Sequence, residues 1–158
     1  MTHEAHPRGT PADPGPSGAS AWRHGAPKVG DRASMSRVVQ ESDIVRFTEI
    51  SGDLNQVHYD AALAARTRFG GIVVQGGVTT AILNGVVAQE LPGPGTVFLE
   101  TSWRFLAPTR PGDTITGEVE VLTVREDKPI TTLATRVVRD DGVLVIDGTA
   151  VCWTMDLG

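Results

Sequence analysis

Cysteine is almost missing from this sequence: with Cys152 alone, no intramolecular disulfide can form and no tetrahedral thiolate zinc site can be built within one chain. There is also no lysine- or arginine-rich run. With 14 basic against 19 acidic residues the formal charge is -5, which excludes the electrostatic footprint of a nucleic-acid-binding protein. No apolar run approaches the roughly 20 residues of a spanning helix, and the N-terminus lacks the apolar core of a secretory signal. A cytoplasmic chain with no membrane partner is the expectation. Internal repeats are absent too, and 158 residues with 40% hydrophobic content suit one domain around one core.

What is present divides at residue 28. Residues 1–28 are dense in Pro, Gly, Ser and Ala with few large apolar side chains. Such a segment buries too little surface to offset its ordering entropy, so a flexible tail is expected there, ahead of a domain over residues 29–158. His3, His6 and His24 are scattered through the tail and set no metal-ligand spacing. Beyond it, "ESDIVRFTEIS" has partly helical spacing, with Glu41 or Ser42 at its start, and "DAALAARTRFG" predicts a short helix closed by a glycine. A longer helix follows the Gly76-Gly77 pair: Val78, Ala81, Ile82, Gly85, Val86 and Gln89 recur at spacings of three and four before Pro92. No charge falls between Val78 and Gln89, so this helix needs cover around most of its circumference.

Four β-rich stretches supply it, beginning "TVFLETSWRFLAP", "DTITGEVEVLTVRED", "ITTLATRVVRD" and "VLVIDGTAVCW". In the second, Ile115, Val119 and Val121 alternate with Thr116, Glu118 and Glu120, the period of a sheet with one wet face. "EDKP" and "DDG" read as hairpin turns, and a strand near residues 33–39 completes the set. The expected class is α+β, a curved antiparallel sheet wrapped around a central buried helix.

Chemistry concentrates in "SGDLNQVHYD", residues 51–60, between two helices. A carboxylate and an imidazole on one loop, here Asp53 and His58, can share a water and act as an acid/base pair. The same residues would also serve a plain turn, with Asp53 following Gly52, His58 at the surface and Asn55 a common turn residue. The glycines of "QGGVTT" leave helix-start N-H groups uncovered where the helix dipole is positive, a place for a developing oxyanion or simply for close packing. Thr79 and Thr80 are first-turn hydroxyls facing a ligand or merely a helix start. Cys152 reads as a space-filling side chain of the last strand, and Trp103 and Trp153 as core or interface.

These stretches together, "FTEISGDLNQVHYDAALAARTRFGGIVVQGG", "LPGPGTVFLE", "RFLAPTRPGDTITGEVEV" and "REDKPITTLATRVV", resemble the MaoC-like (R)-specific enoyl-CoA hydratases of the hotdog superfamily. The likeness runs from about Val29 to Trp153 and keeps Ser51, Gly52, Asp53, Asn55, His58 and Asp60 of a Ser-Gly-Asp-x-Asn-Pro-x-His-x-Asp motif. It implies a hotdog fold, a homodimer, no cofactor and no metal. The implied activity is reversible addition of water to a trans-2-enoyl thioester of coenzyme A or a carrier protein, giving an (R)-3-hydroxyacyl thioester. It makes Asp53 and His58 the catalytic pair, and places Asn55, Gln75, Gly76, Gly77 and Thr80 at the substrate, with the Gly76 amide receiving the thioester oxygen.

The chain departs from the family pattern at two places. Gln56 stands where the family has proline, and Gln75-Gly76-Gly77 replaces a His-Gly pair, so that Gly77 is expected to open the acyl pocket. Ala81 occupies the position of a helix serine, with Thr80 beside it. Two other readings use the same fold: thioester hydrolysis, and a non-catalytic acyl-thioester-binding subunit. Hotdog thioesterases more often carry a lone acid on the buried helix, whereas this helix has none before Glu90.

Overall fold

The computed structural model describes residue 22 and residues 25–157, so most of the expected tail, with His3, His6 and His24, lies outside the described residues. Among the described residues nine elements follow in order: β1 (Arg32–Val38), α1 (Glu41–Ser51), a 3-10 turn (Gln56–His58), α2 (Ala61–Ala65), α3 (Gly76–Gln89), β2 (Thr96–Phe105), β3 (Thr114–Val124), β4 (Ile130–Arg139) and β5 (Leu144–Thr154). The five strands form one antiparallel sheet in the order β1-β3-β4-β5-β2. Register shifts on β2, β3 and β5 add local twist, which bends the sheet around α3. This is the hotdog arrangement expected from the sequence.

The alternation in β3 sets its two faces. Ile115, Val119 and Val121 are buried against the helix side while Glu118 is exposed and Glu120 pairs with Arg32 across the β1–β3 ladder at 2.9 Å. Hairpins close both expected turns: Arg125 N-H donates to Ile130 O at 2.9 Å, and Gly142, at φ 81°, donates to Arg139 O at 2.9 Å. Cys152 is fully buried in β5, and burial pushes its thiol up to about 12. Trp103 packs against the core, meets Phe98 edge-on at 5.8 Å and donates its Nε1-H to Thr135 Oγ1 at 3.0 Å.

α3 lies across β1, β2, β3 and β4 and touches α1. Leu83, Val86 and Val87 are at most 2% exposed, and each such aliphatic contributes roughly 1.5–3 kcal/mol on burial. Gly117 permits the close approach, since a Cβ there would stand 2.8 Å from Ile82 Cγ2. Burial covers seven of the fourteen helix residues; Ala81 and Asn84 remain exposed, so within one chain the cover is narrower than the uncharged sequence suggests. α1 starts at Glu41, one of the two expected positions, and its cap is Gln40, whose N-H donates to the Asp43 carboxylate at 2.8 Å. Asp43 is buried because Arg37 and Arg46 pair with it. No helix among the described residues is long and apolar enough to cross a membrane.

Candidate active site

The decapeptide after α1 builds itself from short local bonds. Gly52 takes the left-handed conformation at φ 74° and donates to Thr48 O at 2.7 Å, ending the helix. Ser51 Oγ donates to Phe47 O at 2.7 Å and accepts from Asp53 N-H at 3.1 Å. Asp53 Oδ1 accepts from Asn55 N-H at 3.0 Å, Asn55 Oδ1 caps the 3-10 turn through Val57 N-H at 3.3 Å, and Asp60 Oδ1 caps α2 through Leu63 N-H at 2.9 Å. Ser51, Asn55 and Asp60 thus have structural work in the loop.

Turn chemistry leaves Asp53 Oδ2 and the His58 ring over. His58 Nδ1 lies 2.7 Å from Val73 O; a carbonyl can only accept, so Nδ1 carries the hydrogen and Nε2 of the neutral ring presents a lone pair. Nε2 stands 3.5 Å from Asp53 Oδ2, with the imidazole 9% and the carboxylate side chain 38% exposed. The gap is longer than a good N-H···O bond, and two acceptors facing each other suit a water that donates one hydrogen to each.

His58 lines a cleft of about 1080 Å³ together with Asn55 and Gly76. Asp53 is not in its wall and meets it across His58. Gly76 is the first residue of α3, where helix geometry leaves N-H groups without intrahelical acceptors, and the Phe105 ring of β2 covers it: a Cβ would meet Phe105 Cε1 at 2.8 Å. The other expected substrate residues lie elsewhere. Gln75, 2% exposed, turns its amide to α1, donating to Ile44 O at 3.2 Å and to Thr48 Oγ1 at 3.0 Å. Thr80 is buried and donates to Gly77 O at 3.2 Å. Gly77 does not open a pocket, because the space its Cβ would fill is taken by the Phe47 ring, with Cζ 2.0 Å away.

Several residues on the cleft carried no readable signal in the sequence. Phe69, Arg68, Arg110 and Arg139 are among them, beside Thr79, which the sequence offers as a first-turn hydroxyl facing a ligand or a helix start, and no acidic side chain is among the lining residues. Arg110 ties the approach to α3 in place by donating to Ile72 O at 2.9 Å and to Phe69 O. Arg139 is matched by Asp141 at 2.6 Å. Arg68 lies over the Phe69 ring, its guanidinium 5.1 Å from the centroid. Among the described residues no three His, Cys, Asp or Glu side chains group closely enough to hold a metal.

Comparison with known proteins agrees with this architecture. Residues 25–142 match the MaoC like domain family. The chain is 40% identical over 124 residues to an (R)-specific enoyl-CoA hydratase of Aeromonas caviae, covering 78% of this chain and 92% of that protein. It is 36% identical to a 3-hydroxybutyryl-CoA dehydratase of Methylorubrum extorquens, covering 78% of each. The solved structure of an A. caviae (R)-hydratase involved in PHA biosynthesis superposes with a TM-score of 0.77 at 38% identity, over 81% of this chain and 97% of that one.

Proposed function

The chain belongs to the MaoC-like domain family, and from that membership we propose that it is an (R)-specific enoyl-thioester hydratase/dehydratase working through Asp53 and His58. Water adds across the C2=C3 bond of a trans-2-enoyl thioester of coenzyme A or a carrier protein. Its oxygen bonds to C3, one of its protons leaves to the Asp53–His58 pair, and the pair returns one proton to C2. Negative charge collects on the thioester oxygen between these events, and the Gly76 N-H at the start of α3 receives it. The two groups face one water, so the roles of base and acid are assigned to the pair and not divided between its members.

The observation that carries this reading is the Nε2–Oδ2 pairing at 3.5 Å on a ring that also lines the cleft containing Gly76. Asn55 holds the loop and borders the cleft. Hydrolysis of the thioester is the weaker alternative, since α3 carries no acidic residue. Purified protein mixed with crotonyl-CoA should bleach the conjugated enoyl absorbance without releasing free thiol. Asp53→Asn and His58→Ala should each lower turnover by roughly a hundredfold or more while the protein stays folded. Thiol release without bleaching, or full activity in both variants, would refute the assignment.

A homodimer is part of the same proposal. β2 is an edge strand that exposes Val97, Leu99 and Phe105, and Phe105 also borders the cleft. Pairing of that edge with a second copy would cover these side chains and satisfy the strand. A solution mass of one chain would refute it. A cytoplasmic location is proposed with it, supported by the unpaired, buried Cys152.

A further inference from the structure

Building on the catalytic reading of Asp53 and His58, we infer that the Thr48 hydroxyl is a positioning group that fixes the three parts of the site relative to one another. Thr48 sits near the end of α1 and is not on the cleft wall. Its Oγ1 donates to the carbonyl of Asp53 at 2.8 Å and accepts from Gln75 Nε2 at 3.0 Å. Its single hydrogen is committed to that carbonyl, so in the contact with Tyr59 the phenol donates and Oγ1 accepts. One hydrogen and two lone pairs are the whole capacity of a hydroxyl, and all three are used.

Each partner is a proposed reacting group or its immediate chain neighbour. Asp53 carries the carboxylate, Tyr59 follows His58, and Gln75 precedes Gly76. Gln75 cannot adapt if the hydroxyl is lost. Its amide is buried with Nε2 on Ile44 O, and turning it over would set Oε1 against that carbonyl, acceptor against acceptor. The hub therefore joins α1, the catalytic loop and the start of α3, elements that separate stretches of chain bring together. A displacement of about 1 Å between reacting groups can cost as much as a hundredfold in rate, so a group that touches no substrate can still govern turnover.

The test is Thr48→Val, which keeps the side chain's shape, beside Thr48→Ser, which keeps the hydroxyl. Thr48→Val should lower kcat about tenfold with KM within about twofold, and Thr48→Ser should recover kcat to within about threefold of the parent. In an Asp53→Asn background, Thr48→Val should add less than about twofold, because its effect runs through that carboxylate's placement. Amide exchange at Asn55 and Val57 should accelerate in Thr48→Val while the β4 and β5 amides keep their protection. Parental kcat in Thr48→Val, no recovery with serine, or full additivity with Asp53→Asn would overturn the inference. If the parent protein turned over no enoyl thioester, the catalytic reading would fall and the exchange result alone would decide whether Thr48 holds the loop. If Thr48→Val did not fold, Tyr59→Phe at its exposed ring takes its place: about a threefold loss of kcat is expected, and no loss overturns the inference.

Discussion

Substituting Gly77 by alanine sets two effects of opposite sign against each other. Helix propensity favours alanine over glycine by at most about 1 kcal/mol, and less in a first turn, where Gly77 lies. Gly77 has no positive φ, so alanine meets no backbone strain there. Sterics oppose the change: the new Cβ would stand 2.0 Å from Phe47 Cζ and 2.2 Å from Cε2, where ordinary contact begins near 3.4 Å. The ring must retreat by about 1.4 Å, the difference between 3.4 and 2.0 Å. Phe47 packs on the core beside Thr48, so it cannot move without disturbing both. Overpacking of this kind costs about 1–3 kcal/mol, which leaves a net destabilisation of about 0–2 kcal/mol once a propensity gain of about 1 kcal/mol is subtracted. Urea unfolding should register it as a lower midpoint at unchanged slope. Adding Phe47→Leu should recover part of the loss, so that the double variant is more stable than the sum of the single changes predicts. A Gly77→Ala protein more stable than the parent would refute the argument, because propensity would then have outweighed the contact.

Cys152 should resist thiol reagents in the native protein and react with one equivalent after denaturation; rapid labelling of the folded chain would contradict its burial. Its folded pKa of about 12 lies above the roughly 8.5 of an exposed thiol, so between those values the native state holds the proton more tightly than the unfolded state. Stability from this group is therefore intact below about pH 8.5 and declines as pH rises toward 12, which unfolding measured at stepped alkaline pH should follow, with Cys152→Ala flattening the decline. Arg68, exposed on a cleft wall without an acid, should assist a phosphorylated thioester, so Arg68→Ala should raise KM about two- to fivefold at low salt, with the effect fading near 0.5 M salt. A KM unchanged at low salt would remove Arg68 from substrate capture.

Much of the fold is legible in the sequence because its signals are periodic and redundant. The uncharged run from Val78 to Gln89 ends before Pro92, and the alternation of Ile115, Val119 and Val121 with polar neighbours leaves little choice for α3 and β3. The Asp53–His58 pair is legible through its motif. What spacing cannot carry is direction. Gln75 borders Gly76 in sequence, yet its amide turns into α1, since Ile44 O and Thr48 Oγ1 offer partners there. Gly77 looked like added room, but the room belongs to Phe47, thirty residues earlier. Thr48 gave no hint at all, because one threonine in an amphipathic helix resembles any other until its three partners have folded around it.

Strands β1 and β2 occupy opposite rims of the sheet, while β3, β4 and β5 are joined by tight hairpins. Every residue assigned to the water, the oxyanion or their support lies on the single excursion that links the two rims. The hairpins close over short loops and can form early, whereas both rims must dock before Asp53, His58 and Gly76 share a space. Activity should therefore return later than bulk secondary structure during refolding, and loop grafts between the rims can change the chemistry while leaving the three-strand platform untouched.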